Sequence, residues 1–304
     1  MPAHNMWVDD LSVDEILTES VDVLNPRFDA AGLLSVPPLP TNGHDRLSPV
    51  LPGFSETPSA PRSLDAEALK RLLTVGVSET KFVLPIELAG TVSNWARANM
   101  RPDDHADPAI GDGYLVRTLY LDTPTGEIFR RAGIGRYRKF RVRRYGQAAS
   151  LWLEMKWKHR EQIRKRRILI AEHDLESALA GELTDCAWFA RRVARYRLQP
   201  SCQVSYRRQA YLLTTPHGPL RLTLDQDVQV GAEEGWQVPR ASCGKEVLTA
   251  DASILELKYR GQFPVLFRDL VEQLKASPRS FSKYRHAIKT MLGEPAKEFR
   301  CQNG

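Results

Sequence analysis

Five segments of this chain repeat one two-faced pattern, and an extended strand is the conformation that gives the pattern a physical meaning. Successive side chains of a strand point to opposite faces, so residues of one parity share a surface. In RYRKFRVRRY (136–145), Lys139, Arg141 and Arg143 share one parity, and Phe140 and Val142 the other. In LWLEMKWK (151–158), Glu154, Lys156 and Lys158 stand opposite Leu151, Leu153, Met155 and Trp157. Arg221, Thr223 and Asp225 oppose Leu220, Leu222 and Leu224; Glu256 and Lys258 oppose Leu255, Leu257 and Tyr259; Glu79 and Lys81 oppose Phe82 and Leu84. An antiparallel sheet with one solvated face shows simple amphipathic alternation. Here the polar face is mostly guanidinium and ammonium, groups that repel one another unless an anion sits among them. If such a sheet closes, its basic faces line a tunnel suited to phosphate, which Arg binds bidentately and Lys as a compact charge.

The rest of the chain supports a folded body with an appended leader. Of 304 residues 42% are apolar and 25 are aromatic, enough to build a core and exclude wholesale disorder. Residues 1–62 hold 9 of the 20 prolines, with 9 acidic and 3 basic side chains, a balance of −6. The other 242 residues carry 40 Lys and Arg against 28 Asp and Glu, or +12. The leader reads as a flexible acidic tail over 1–65, with a short helix around Val13–Val23, followed by a basic folded domain over 66–296 and a tail over 297–304. The tail is expected to be dispensable for chemistry. Periodicity predicts helices at 66–75, 86–99, 174–180, 185–197, 264–276 and 284–292, with Pro264 in a first turn. Strands are predicted at 79–84, 114–122, 136–145, 150–158, 165–171, 202–214, 219–229 and 253–260. The expected fold class is therefore α+β: about eight antiparallel strands closed into a tunnel and covered by helices.

Several chemistries can be set aside. Cys186, Cys202, Cys243 and Cys301 form no CxxC pair, and the seven His form no HExxH, so zinc sites and disulfides are not expected. CGKE (243–246) has Pro239 and Glu246 where a P-loop needs Gly and Ser or Thr. GDG (111–113) and GIG (133–135) read as turns, Asp122 as a turn cap, and Trp157 as core. No stretch approaches the ~20 apolar residues of a membrane span, and the N-terminus is acidic where a signal peptide is basic; a cytoplasmic protein is expected.

ETKF (79–82), YLVRTLYLDT (114–123), KFRVRRYG (139–146), LWLEMKWK (151–158), SYRRQAY (205–211), RLTLD (221–225), ILELKY (254–259) and FSKY (281–284) occur in an order that resembles the VTC domain. That is the catalytic domain of the vacuolar transporter chaperone polyphosphate polymerases, within the triphosphate tunnel metalloenzyme superfamily. The resemblance spans about 75–292 and implies a closed β-tunnel that binds a nucleoside triphosphate or polyphosphate with a divalent cation, Mn²⁺ or Mg²⁺. It assigns catalytic roles to Arg141, Arg143, Tyr206, Arg208 and Lys258, and phosphate binding to Lys81, Lys156, Arg221, Ser282 and Lys283. Glu256 matches the metal-binding glutamate, with Glu79 and Glu154 as further candidates. RKRR supplies another tunnel base, either Lys165 or Arg167, which share parity. Hydrolytic and cyclase relatives open with ExExK, whereas Val77 here replaces the first glutamate, which fits the polymerase branch.

The implied activity is metal-dependent transfer of the ATP γ-phosphoryl group onto a polyphosphate chain. Two other readings remain open: a triphosphatase or polyphosphatase of the same fold, and a non-catalytic module binding polyphosphate or RNA. A pure polyanion binder gains nothing from carboxylates set among its cations, whereas a metal-dependent enzyme needs at least one. ATP and polyphosphate are the expected partners, without nucleic acid, and the family's eukaryotic membrane helices and phosphate-sensing domain are not expected here.

Overall fold

The computed structural model describes residues 77–159, 162–232, 235–242, 244–246 and 251–293. The acidic leader, its expected helix and the 66–75 helix lie outside the described residues.

Among the described residues ten strands form one antiparallel sheet. They are β1 (Val77–Pro85), β2 (Arg101–Pro102), β3 (Gly113–Asp122), β4 (Arg138–Tyr145), β5 (Ser150–His159), β6 (Gln162–Ala171), β7 (Gln199–Thr215), β8 (Gly218–Gly231), β9 (Lys245–Glu246) and β10 (Ala252–Arg260). Their order is β1-β10-β8-β7-β3-β4-β5-β6, with β2 on β7 and β9 on β8. The eight strands read from alternation are the eight of this path. The two-residue strands β2 and β9 are too short to show a period. No ladder joins β1 to β6 among the described residues, yet Lys156 of β5 reaches Glu79 of β1 at 3.4 Å. The twisted sheet has therefore curled until its first strand faces its last hairpin, and side chains close the tunnel there.

Among the described residues six α-helices dress it: α1 (Glu87–Asn99), α2 (Glu127–Arg130), α3 (Leu175–Ala180), α4 (Ala187–Tyr196), α5 (Val265–Gln273) and α6 (Lys283–Met291). Pro264 caps α5 from outside the first turn, with φ −64 and ψ 142, so the helix starts one residue later than expected. The outward parities bury what the alternation assigned to them. Leu222, Leu224, Leu255, Leu257, Phe82 and Leu84 pack with Val92 and Ala96 of α1 and with Phe267 and Leu270 of α5. Phe140, Val142, Leu151, Leu153, Met155 and Trp157 pack with Trp188 and Phe189 of α4. At about 1.5–3 kcal/mol for each fully buried large side chain, these two layers are what hold the curl. They leave the opposite parity to face inward.

The short helix α2 follows Asp122 rather than any hydrophobic period. Asp122 accepts from the backbone N–H groups of Ile128 (2.8 Å) and Phe129 (2.9 Å), so the expected turn cap is a helix-start cap. GIG does form a turn. Gly135 lies so close to α2 that a Cβ would fall 2.1 Å from the Glu127 carbonyl oxygen.

Candidate active site in the basic tunnel

The antiparallel register of β1 and β10 sets Lys81 opposite Glu256 and Glu79 opposite Lys258. Lys81 Nζ lies 2.8 Å from Glu79 Oε1 and 2.9 Å from Glu256 Oε1. Lys258 Nζ approaches Glu256 at 3.5 Å and Glu79 at 3.7 Å. Burial and the facing Glu256 carboxylate push the Glu79 carboxyl up, but Lys258, Lys156 and Lys81 together hold it at about 2. Burial likewise opposes ionisation of Glu256, and Lys81, Lys258, Lys283 and Arg208 override it, keeping this carboxyl well below the usual range. Both glutamates are therefore anions at neutral pH.

Across the lumen, Glu154 of β5 is 1% exposed and is enclosed by three bases. Arg141 donates its Nε to it, Lys165 Nζ stands 2.6 Å away and Arg143 Nη1 3.7 Å away. The pair left open by parity is thus divided: Lys165 joins Glu154, and the Arg167 guanidinium lies 4.4 Å over the Trp152 ring.

A third group forms where β7 meets β8. Arg208 donates Nε and Nη2 to the two oxygens of buried Asp225, at 2.6 and 2.7 Å, and Lys283 Nζ reaches Asp225 at 2.5 Å. The Tyr206 ring lies 4.7 Å from the Lys283 ammonium and 5.2 Å from the Arg208 guanidinium. Tyr206 faces a β-bulge: the ladder passes from Ser205–Gln229 to Arg207–Gln226, so Asp227 and Val228 together oppose it, and Asp227 takes φ 52.

Helix α6 delivers Lys283 from its first residue, and that position is pinned on two sides. Tyr284 donates its hydroxyl to Asp122 Oδ2 at 2.5 Å and meets Ser201 Oγ at 2.9 Å. Arg279 N–H donates to the Lys81 carbonyl at 2.8 Å, docking the preceding segment on β1. Ser282 stands at the N-cap, half-buried, beside Lys283. Arg221 lies toward another part of the wall, bonded to Asp103 (2.7 Å), which also accepts from the Tyr114 hydroxyl (2.9 Å); nearby, His105 stacks on Tyr145.

The structure thus gathers Lys81, Lys258, Lys156, Lys283, Glu79 and Glu256 in one connected ion-pair network, and links it through Lys283 to Arg208, Asp225 and Tyr206. Arg141, Arg143 and Glu154 form the facing group, while Arg221 sits with Asp103. The side chain of Lys158 lies outside the described residues. Sequence reading left Asp225, Asp103 and the helix-positioning role of Asp122 without function. Asp225 shares parity with Arg221, so its inward placement was on view; its clamp on Arg208 and Lys283 needed the fold. Lys81, Lys139, Arg141, Arg143, Lys156, Lys165, Arg208, Arg221, Lys258 and Lys283 outnumber Glu79, Asp103, Glu154, Asp225 and Glu256 two to one. That surplus of positive charge calls for a polyanion.

Among the described residues no group of three or more His, Cys, Asp and Glu side chains assembles into a metal site. A hard cation of the Mg²⁺ class does not need one: it is commonly held by one or two carboxylates and completed by substrate phosphates. Glu79 and Glu256, which share the Lys81 ammonium, fit that manner of binding. Glu154 stands apart among its own three bases.

An antiparallel sheet curled around a basic, carboxylate-studded lumen places the chain with the triphosphate-tunnel enzymes, a class that uses divalent metal ions. Residues 77–292 match the VTC domain, and the chain belongs to that family. No curated protein matches it. Among solved structures, a putative adenylate cyclase from Bacillus halodurans is 13% identical with a TM-score of 0.41, covering 68% of this chain and 95% of its own. The Hippeastrum protein HpAC1, a putative adenylyl cyclase described as having a dominant triphosphatase activity, is 14% identical with a TM-score of 0.43, covering 73% and 97%. The PH1819 protein of Pyrococcus horikoshii is 10% identical with a TM-score of 0.39, covering 72% and 100%. No helix among the described residues is long and apolar enough to cross a membrane.

Proposed function

We propose that this chain is an ATP-dependent polyphosphate polymerase. The observation that carries the proposal is the lumen itself, in which nine bases lie against five carboxylates along a curled sheet. Phosphoryl transfer asks little covalent work of a protein, and catalysis is mostly positioning and charge stabilisation. In this reading a terminal oxygen of the phosphate chain attacks the γ-phosphorus, the bond to the β-phosphate oxygen breaks, and ADP carries away the electron pair. Arg141 and Arg143 face the transferring group with planar forks that match phosphate oxygens. Arg208, Lys283 and Lys258 neutralise charge from the opposite wall, with Tyr206 beside them. Lys81, Lys156, Arg221 and Ser282 bind the remaining phosphates. Glu79 and Glu256 would hold the divalent ion, Mn²⁺ or Mg²⁺, which would supply charge neutralisation to the phosphates. Arg143, Arg208, Lys283 and Glu256 are buried, and the lower dielectric there strengthens their charged contacts.

The acceptor distinguishes this reading from hydrolysis. With purified full-length protein, ATP and Mn²⁺, polymerisation releases ADP without a matching release of orthophosphate. Equal amounts of ADP and orthophosphate would identify a triphosphatase, and no ADP at all a binding module.

A further inference from the structure

Strand β8 carries Arg221, Thr223 and Asp225 on its lumen-facing parity, and the outer two are paired. Arg221 is bonded to Asp103, and Asp225 holds Arg208 and Lys283. Thr223 lies between them with no exposed surface, and its hydroxyl oxygen has no hydrogen-bond partner among the described residues. Buried hydroxyls are normally bonded, because one stripped of water and left without a partner destabilises the fold. Thr118, buried on the lumen-facing parity of β3, follows that rule and accepts from Arg143 Nε at 3.1 Å. The ladders on either side of Thr223 bring it Ala210 of β7 and Glu256 of β10. Alanine has no side-chain acceptor, so the carboxylate directly across a ladder is Glu256. Glu256 gives Oε1 to Lys81 at 2.9 Å, while Oε2 meets Lys258 at 3.5 Å, too long for a strong charged hydrogen bond.

Resting on the assignment of Glu256 to the divalent ion, we propose that Thr223 is a positioning residue for Glu256, its hydroxyl donating to Oε2 once the carboxylate turns from the lysines to the metal. A carboxylate that ligates a metal is as a rule itself hydrogen-bonded, and that outer bond orients it toward the ion. A lysine serves this purpose poorly, because it sets a second positive charge beside the cation it would support. The Thr223 hydroxyl is a neutral donor at the register position next to the ligand. The cost of burying it unpaired is relieved when the ion binds. Asp225, the neighbouring acid on the same strand, already has both oxygens occupied by Arg208 and Lys283 and does not compete for the hydroxyl.

The test measures Mn²⁺ retained by full-length protein in equilibrium dialysis, with inorganic tripolyphosphate in both compartments, for wild type, Thr223→Val, Thr223→Ser and Glu256→Gln. Thr223→Val keeps the branched shape and removes the hydroxyl. It is expected to bind Mn²⁺ about 10–100-fold more weakly, the usual effect of losing a ligand's supporting bond. Thr223→Ser, which keeps the hydroxyl, is expected to stay near wild type. Urea unfolding without metal should find Thr223→Val no less stable than wild type, since the hydroxyl it removes has no partner there. Lost metal affinity beside intact stability is a combination that a purely structural threonine does not produce. A less stable Thr223→Val would overturn the proposal by showing the hydroxyl already bonded in the resting protein. Unchanged Mn²⁺ affinity in Thr223→Val, with Glu256→Gln much weakened, would overturn the role of Thr223 and leave Glu256 as the metal ligand. Unchanged Mn²⁺ affinity in Glu256→Gln would overturn both.

Discussion

Arg208 and Asp225 meet fork to fork, with Nε and Nη2 at 2.6 and 2.7 Å from the two carboxylate oxygens, and Asp225 has no exposed surface. The same carboxylate takes Lys283 at 2.5 Å, so one acid orients two bases that arrive from a strand and from a helix. Asp225→Asn should leave both cations buried and short of charge, at a cost of about 3–5 kcal/mol. Denaturant unfolding checks this, and a loss below about 1 kcal/mol would mean the pair carries no structural weight.

Glu154 makes a prediction about acid. Burial raises its carboxyl, but Arg141, Lys165 and Arg143 outweigh burial and hold it well below 4.5. A carboxyl depressed in the folded state contributes stability in full above its unfolded value, and that stability is lost as pH falls below it. Wild type should therefore lose stability on acidification below about pH 4.5. Glu154→Gln should be less stable at pH 7 and show a shallower decline there, measured by urea unfolding at stepped pH. Identical slopes would remove Glu154 from the acid response.

Arg141→Ala and Arg143→Ala should each lower turnover by about 10²–10³, the usual cost of removing one donor to developing charge. Arg141→Lys should also be impaired, because an ammonium cannot reproduce the two-pronged contact. Circular dichroism with steady-state kinetics checks this. Wild-type turnover in both alanine variants, correctly folded, would exclude Arg141 and Arg143 from the chemistry.

Glu256 separates metal binding from charge balance. If it serves only as counter-ion to Lys81 and Lys258, Glu256→Gln keeps its turnover and binds phosphate as well or better. If it holds the divalent ion, metal-stimulated turnover collapses while tripolyphosphate still binds through the cations. We predict collapse with binding retained, read by a metal titration of activity beside a binding isotherm. Full Mn²⁺ stimulation in the variant would sink the assignment.

Much of this architecture was legible because side-chain parity is a local property. Phe140, Val142, Leu255 and Leu257 alternate with bases, and burial follows the alternation. What escaped depended on contacts distant in sequence or on broken periodicity. Helix α2 has four residues and owes its start to Asp122, so no hydrophobic period announces it. The bulge at Asp227 and Val228 interrupts β8 where simple alternation assumes a continuous strand. Lys165 and Arg167 have the same parity, and only their distances to Glu154 and Trp152 tell them apart. Asp225 looked like one polar residue among several until α6 brought Lys283 to it across 58 positions of sequence.

The fate of the γ-phosphate tests the account most directly. Full-length protein is incubated with ATP labelled at that phosphate and with Mn²⁺, beside Arg141→Ala, and the products are separated by length. The account predicts label in a ladder of long phosphate chains from wild type and almost none from the variant. Label appearing only as orthophosphate, or remaining in ATP, would contradict it.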